Sequence, residues 1–269
     1  MEGPYFITDF KRYPSAWYVR EGVYFHRMKY RVLLLVENAC DWLVPPKSLH
    51  PEYRHAMDIK VQNSGRFLDE DWGGKKRTRF FRQMEKTFFG TAEIPWEQRR
   101  MFWETVALDR FLPDSTDVMT DPPTREVYAE AWIYFFNLFC RMKTLPTHII
   151  LFGTRPVKYF FNPYPGDFRI EPFIKEPPLN GTAPYGSRLT VLHPLDSDPE
   201  KKSRRQISIR VVRGLGPGYS WRSWHEYLHP FLAPFHREFT DYYPRLTRLT
   251  DEYVWKFWWN WDFSGKKKS

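Results

Sequence analysis

The stretch that decides the fold is residues 31–46, Arg-Val-Leu-Leu-Leu-Val-Glu-Asn-Ala-Cys-Asp-Trp-Leu-Val-Pro-Pro. Its run Val32–Val36 is unbroken and apolar, which is typical of a strand buried on both faces of a parallel sheet. The run ends abruptly at a polar cluster that begins with Glu37 and Asn38. Ligands bind beyond the carboxyl ends of strands in open α/β sheets, so this cluster is a candidate site. An ordinary polar turn after a strand explains the same residues.

The overall charge favours polyanionic partners. Lys and Arg exceed Asp and Glu by 41 − 32 = 9, and aromatic residues make up 19% of the 269 residues. Bases stack on aromatic rings and on arginine planes, so a basic and aromatic-rich surface suits nucleic acid. The aromatic side chains could equally fill the core, and composition alone leaves both interpretations open.

Several classes of protein are disfavoured by what the chain contains. Its apolar runs are broken by charges before they reach the length of a membrane span, and its N-terminus lacks the pattern of a signal peptide. We therefore expect a cytoplasmic protein with no membrane partner. Cys40 and Cys140 are too few for a disulfide framework or a four-cysteine metal or iron–sulfur site. His225, His229 and His236 have no cysteine partners, and we expect no metal and no cofactor.

The remaining patterns predict alternating strands and helices. A βαβ order implies an α/β fold with a parallel sheet. We expect one α/β domain over residues 1–213 and an aromatic-rich helical extension over 214–269 packed on it, with a Pro- and Gly-rich excursion at 162–188. The predicted elements after Val36 are a helix over Arg79–Phe89 ended by Gly90, a strand over Met101–Leu108, a helix capped by Thr124, a strand over Thr147–Gly153 and a fourth strand over Leu189–Leu192.

The order of these segments carries a resemblance. The chain runs from the buried strand at 32–36 through "ALDRFLP", "PPTREVYAEAWIYFF" and "LPTHIILFGTRPVKYF" to "LTVLHP". This order resembles the uracil-DNA glycosylase superfamily over roughly residues 28–212, and the resemblance implies a three-layer α/β/α fold around a central, mainly parallel four-stranded sheet. Val36–Cys40 falls on the frame of that family's first motif, in the form with Asn at the third position, and His193-Pro194-Leu195 falls on the second.

The resemblance implies a monofunctional DNA glycosylase, with Asn38 and His193 as the catalytic residues. Asn38 would hold a water under C1′ of the sugar. His193 would donate a hydrogen bond to the base carbonyl and so stabilise negative charge that builds on the departing base in the transition state. The target nucleotide must first leave the duplex, or the substrate must be single-stranded.

Departures from the family motif bear on the substrate. Val36, Ala39 and Cys40 stand where the family has Gly, Pro and Gly or Tyr. The small Cys40 leaves room at the base C5 position, and no Asn that reads uracil is evident on the second strand. We expect a C5-modified pyrimidine, such as glucosylated hydroxymethylcytosine of phage DNA, and a role in antiviral defence. The residues expected to line the base pocket are Glu37, Cys40, Asp41, Trp42, Thr105, Asp109 and Arg110.

The DNA contacts follow from charge and from the second motif. Leu195 is a candidate wedge between bases, and the basic residues are candidate phosphate contacts, although a solvated helix entrance explains the run at 75–77 as well. We expect a monomer. Three alternatives stay open: a uracil or mismatch repair glycosylase, a superfamily member that binds nucleic acid without chemistry, and an RNA-binding protein. The basic candidates are Lys75, Lys76, Arg77, Lys201, Lys202, Arg204 and Arg205.

Overall fold

The computed structural model describes residues 20–22, 24–37, 83–112, 123–142, 144–177, 183–192, 205–214 and 221–249. The strands of this part are β1 Arg20–Glu21, β2 Val32–Val36, β3 Ala107–Arg110, β4 His148–Phe152, β5 Phe168–Ile170, β6 Ile174–Lys175, β7 Tyr185–Val191 and β8 Arg205–Val212. Its helices are α1 at 83–89, α2 Trp96–Thr105, α3 Arg125–Arg141, α4 Arg155–Lys158 and α5 Trp221–Leu249, with a 3-10 turn at Phe25–Arg27.

The strands form one sheet in the order β1-β3-β2-β4-β8-β7-β5, and β6 lies beside β7. The four strands β3, β2, β4 and β8 run parallel, with Leu34 of β2 level with Leu108 on one side and Ile150 on the other. Every residue of β2 is buried. The prediction of an α/β fold around a mainly parallel central sheet is therefore confirmed, and the apolar run at 32–36 is its central strand.

Helices cover both faces of this sheet. Leu33 and Leu35 point towards α3, whose aromatic side chains share one hydrophobic core with them. Leu34 and Val36 point to the other face, into a second core that contains side chains of α1, α2 and α5. Because side chains alternate along a strand, an unbroken apolar run is what two such cores require. No helix within the described residues is long and apolar enough to cross a bilayer.

The strand predicted over Met101–Leu108 is wrong in its first half. Residues 96–105 form α2, and β3 begins only at Ala107. The helix is fixed to α1 by Glu85, which accepts hydrogen bonds from Arg99 Nε at 2.7 Å and from Trp103 Nε1 at 2.8 Å. Residues 99 and 103 lie one helical turn apart, so one buried carboxylate can bind both only if this segment is helical.

The prediction for the fourth strand also needs correction. Leu189 lies in β7, which runs antiparallel to β8, and the fourth parallel strand is β8, which the sequence did not predict. The predicted excursion at 162–188 contains β5, β6 and the start of β7. The sheet thus has eight strands in the described residues, with antiparallel strands added at both edges of the four parallel ones.

Two helix predictions agree with the structure where it describes them. α1 ends before Gly90, whose φ of +69° is the left-handed conformation that favours glycine after a helix. Thr124 stands at the predicted N-cap position of α3, but its side chain makes no capping hydrogen bond to the helix. In the C-terminal part, α5 buries Trp224, Leu228, Leu232, Phe235 and Phe239 in the core that it shares with β2 and β4.

Candidate functional site

The candidate site lies at the carboxyl edge of the parallel strands, where Glu37 directly follows β2. The backbone of Glu37 is held from both sides: its N–H donates to the Phe152 carbonyl at 2.9 Å, and its carbonyl accepts from the N–H of Leu112 at 3.0 Å. These two bonds continue the pairing of β2 with β4 and β3 by one residue. The position of Glu37 is therefore set by the sheet itself.

The side chain of Glu37 is held by α3. The hydroxyl of Tyr128, in the first turn of that helix, donates to Glu37 Oε1 at 2.5 Å, and Tyr128 is 1% exposed. The Tyr128 ring stacks on Tyr159, with centroids 4.9 Å apart and planes 18° from parallel. Lys158 Nζ lies 5.1 Å from the centroid of the Tyr159 ring. A line of contacts thus leads from an exposed lysine to the carboxylate.

Burial and hydrogen bonding act in opposite directions on Glu37. Burial raises its pKa, and the hydrogen bond from Tyr128 and the charge and backbone of Arg155 lower it by less. Burial and the neighbouring Glu37 carboxylate raise the pKa of Tyr128 far above that of an exposed tyrosine. Tyr128 therefore remains a proton donor in the hydrogen bond, while Glu37 keeps its own proton to a higher pH than an exposed glutamate does.

Gly153 makes room for the Glu37 side chain. It follows β4 with φ of +144°, a backbone conformation that residues other than glycine rarely adopt. Its N–H donates to the Val212 carbonyl at 2.7 Å. A Cβ at Gly153 would collide with the Cβ and the carboxylate of Glu37. The glycine turn after the predicted strand at 147–153 is thus part of the site.

The structure brings Asp109 to the same face and edge as Glu37. Asp109 is level with Leu35 on the neighbouring strand, and it is 3% exposed. Tyr134 of α3 donates to its Oδ2 at 2.8 Å. Both carboxylates thus point towards α3 and both accept a tyrosine hydroxyl from it. Of the predicted pocket residues that the structure describes, these two come together.

Other predicted site residues lie elsewhere. Thr105 ends α2 at the opposite edge of the sheet, where its hydroxyl donates to the Phe102 carbonyl at 2.8 Å, so it is not part of a pocket at Glu37. Arg205 is exposed at the start of β8, also at the far edge. Arg110 belongs to β3, and its side chain is outside the described part. Also outside it are Asn38, Cys40, Asp41, Trp42, Lys75, Lys76, Arg77, His193, Leu195, Lys201, Lys202 and Arg204.

The two motifs of the resemblance follow strands that end at opposite edges of the sheet. Val36, before the first motif, is level with Phe152 and hence with Val212 at the end of β8. Val191, before the second, is level with Arg205 at the start of β8. At a rise of roughly 3.3 Å per residue, the length of β8 separates these positions by about 23 Å. The structure does not bring Glu37 and Leu192 together.

The sequence did not identify Tyr128 and Arg155 as site residues. The signal that could have found them is topological, because the first turn of a helix that precedes the next parallel strand and the turn that follows this strand both lie at known edges of a βαβ unit. Within the described residues, no group of three or more His, Cys, Asp or Glu side chains is arranged to hold a metal ion.

Comparison with known proteins adds no relative. The chain matches no family model, no curated protein and no solved structure. The resemblance to the uracil-DNA glycosylase superfamily therefore rests on the motifs in the sequence, and membership of that superfamily stays a prediction.

Proposed function

We propose that this protein hydrolyses the N-glycosidic bond of a base in DNA, with Glu37 at the reacting centre. The observation that carries the proposal is the environment of Glu37, which combines a position at the carboxyl end of the central parallel strand with burial that raises its pKa. A carboxyl group whose pKa moves towards the working pH is suited to proton transfer. Asn38, the next residue, is the water-holding amide of the resemblance.

In the proposed mechanism, Glu37 takes part in one proton transfer. The oxygen of a water held by Asn38 bonds to C1′ as the bond from C1′ to the base nitrogen breaks, and the electron pair of that bond leaves with the base. The ionised Glu37 carboxylate accepts the proton that the water loses, and this proton later neutralises the released base through solvent. Tyr128 keeps the carboxylate oriented. This step does not use His193, which lies outside the described residues.

The substrate class comes from the sequence. The small Cys40 in the first motif favours a pyrimidine with a substituent at C5, such as glucosylated hydroxymethylcytosine, and such a base belongs to phage DNA. A defence enzyme against phage is therefore the biological role that we propose. The alternative, a uracil or mismatch repair glycosylase, would catalyse the same reaction on a smaller base.

Base release from defined DNA tests the proposal. The substrates carry uracil, a thymine mismatch, hydroxymethylcytosine or glucosylated hydroxymethylcytosine, and abasic sites are detected by alkaline strand cleavage. Glu37→Gln keeps the shape of the side chain and removes the proton acceptor, so we expect release to fall by about 10²-fold or more while DNA binding persists. Glu130→Gln changes an exposed carboxylate of α3 and serves as the matched control. Full activity of Glu37→Gln would contradict the proposal.

A second candidate function is nucleic-acid binding without chemistry. The observation in its favour is that the Glu37 carboxylate already has a hydrogen bond from Tyr128 and the charge of Arg155 beside it, as a purely structural carboxylate would. This alternative predicts that the protein binds DNA and releases no base from any of the four substrates. It also predicts that Glu37→Gln leaves binding unchanged.

A further inference from the structure

The segment that follows β4 exposes an unusual set of side chains. Among the described residues, the large apolar side chains that lie open to solvent are Phe160 at 40% exposure, Phe161 at 44% and Ile174 at 69%. Single exposed apolar residues are ordinary, but these three come from one short stretch of chain. Lys158 and Lys175 stand beside them in sequence, and both are exposed.

These side chains belong to the edge of the sheet at which Glu37 lies. α4 and Phe160 follow the carboxyl end of β4. Ile174 is level with Gly186, which in turn is level with Arg210 near the carboxyl end of β8. The segment before β5 and the strand β6 therefore both reach the carboxyl edge of the parallel strands.

Aromatic packing on α3 joins the segment that contains Phe160 to the segment just before β6, which contains Phe173. The Phe160 ring packs edge-on against Trp132 of α3 at a centroid distance of 4.9 Å, and it lies 5.7 Å from Phe173. Trp132 Nε1 donates to the Pro156 carbonyl of α4 at 3.1 Å, which holds this segment on the helix. Helix α3 thus supports the exposed Phe160 ring.

The same support leads to Glu37. Lys158 lies over Tyr159, Tyr159 stacks on Tyr128, and Tyr128 donates to the Glu37 carboxylate. Because Lys158 and Phe160 flank Tyr159 in the chain, the exposed rings begin next to the residue that stacks on the site. A strand bound across the rings would be close to Glu37.

We propose that this stacking surface, formed by Lys158, Phe160, Phe161 and Lys175, binds single-stranded DNA beside the nucleotide that reacts at Glu37. Ile174 is level with Gly186 and so faces α5 on the other side of the sheet, and it is not part of this surface. The proposal rests on the proposed function and adds that the substrate is held as a single strand on one side of the target base. Exposed aromatic rings stack on bases of any sequence, and lysines next to them contact the backbone phosphates.

Charge favours DNA over a second protein surface as the occupant. In residues 155–175, Glu171 is the exposed acid, whereas the exposed basic side chains are more numerous. The chain as a whole carries a formal charge of +9. A patch that mixes aromatic rings with basic side chains suits a nucleic acid, which is a polyanion with flat bases. It suits the continuous apolar surface of a protein partner less well. The exposed basic residues within 155–175 are Arg155, Lys158, Arg169 and Lys175.

Binding of the full chain to a fluorescein-labelled oligothymidine, followed by fluorescence anisotropy, tests the surface. Phe161→Leu and Phe160→Leu keep an apolar side chain and remove the aromatic face, and we expect each to raise Kd by about fivefold or more, the lower end of one lost base stack. Phe161 makes no ring contact with another described aromatic residue, so Phe161→Leu tests the surface even if Phe160→Leu fails to fold.

A matched lysine pair tests the phosphate contact. Lys158 lies over Tyr159 at the surface, and Lys29 lies over Tyr30 in the same way, 5.7 Å from its centroid, beyond the amino edge of the parallel strands. Lys158→Gln should lower the slope of log K against log salt by about 0.7, the value for one phosphate contact on a single strand, and Lys29→Gln should leave it unchanged. Equal slopes in the two variants would overturn the assignment of Lys158.

Other results would overturn the whole surface. These are wild-type affinity in both Phe→Leu variants, tighter binding to RNA of the same sequence, or a dimer in light scattering that the same substitutions dissociate while no DNA binds. Glu37→Gln should bind the oligonucleotide as wild type does. The surface is therefore measured by binding and the proposed function by base release, so that either can fail without the other.

Discussion

Replacing Tyr128 by Phe tests how the protein holds Glu37. The substitution deletes the hydroxyl that donates to Glu37 Oε1 and keeps the ring that stacks on Tyr159. The lost hydrogen bond is of the charged type when Glu37 is ionised, worth about 1.5–3 kcal/mol, and of the neutral type when Glu37 is protonated, worth about 0.5–1.5 kcal/mol. The loss of stability should therefore depend on pH and be greater by about 1 kcal/mol or more at high pH.

The sign follows from linkage. Burial raises the pKa of Glu37 in the folded chain, so the folded state holds this proton more tightly than the unfolded state does. Stability from this group is then greatest at low pH and falls as pH rises from the unfolded pKa through the folded pKa. Without the Tyr128 donor, the pKa of Glu37 in the folded chain rises further. The loss of stability with rising pH then extends to higher pH.

Urea unfolding at about pH 4 and about pH 8 measures the difference, with the same slope m required in both proteins. Tyr159→Phe is the matched control, because it changes the other ring of the stack and keeps the Tyr128 donor. We expect the control to lose similar, small amounts of stability at both values. An equal loss at the two pH values for Tyr128→Phe would refute the assigned hydrogen bond to an ionisable Glu37.

Three further predictions concern the site and the fold that carries it. Gly153→Ala places a Cβ against Glu37 at a φ of +144° and should cost about 1–3 kcal/mol in urea unfolding. Leu34→Ala opens a cavity on the central strand, where Leu34 is 0% exposed, and should cost about 2–5 kcal/mol in the same measurement. Burial, followed by the charges of His229 and His225, lowers the pKa of His236 from 6.5 to about 4, so the unfolded chain gains a proton first as pH falls through this range. The contribution of His236 to stability should then fall by up to about 3 kcal/mol between those values, and unfolding at several pH values should show that the His236→Phe variant lacks this fall.

The elements that the sequence predicted correctly carry their evidence locally. Val32–Val36 is apolar at every position because both faces of β2 are covered, and no neighbour in space is needed to see this. Gly90 and Gly153 stand where the chain adopts positive φ, and glycine at the end of an element marks such a turn directly. Capping and periodicity placed α3 in the same way.

The helix α2 shows where local patterns fail. Its sequence around Phe102 and Trp103 is apolar and aromatic, and such a short run is compatible with a buried strand or a buried helix. Glu85 decides between them through hydrogen bonds to Arg99 and Trp103, but this carboxylate is far enough away in sequence that no periodicity connects it with them. Partner choice across the fold is the information that a single sequence lacks.

The candidate site was predicted only in part, for the same reason. Glu37 was expected near a pocket because an apolar strand ends there, and Asp109 because the resemblance puts pocket residues on the second strand. The structure places both at one edge and face of the sheet. Tyr128 lies 91 residues from Glu37 in the chain. The pattern of α3 predicts a helix with an aromatic face, and it does not say which tyrosine reaches which carboxylate. The electrostatics of the site therefore depend on a contact that only the fold provides.

The direction of β7 has the largest consequence for function. Leu189–Leu192 was correctly expected to be extended, but a strand pattern is the same read parallel or antiparallel. The connection from β7 to β8 covers residues 192–204, a length that allows a parallel crossover as well as an antiparallel return. The structure shows the antiparallel pair, which puts the end of β7 at the far edge from Glu37. Leu192, which follows β7, therefore lies at the edge away from Glu37, and the proposed mechanism is built on Glu37 and the helix α3 that holds it.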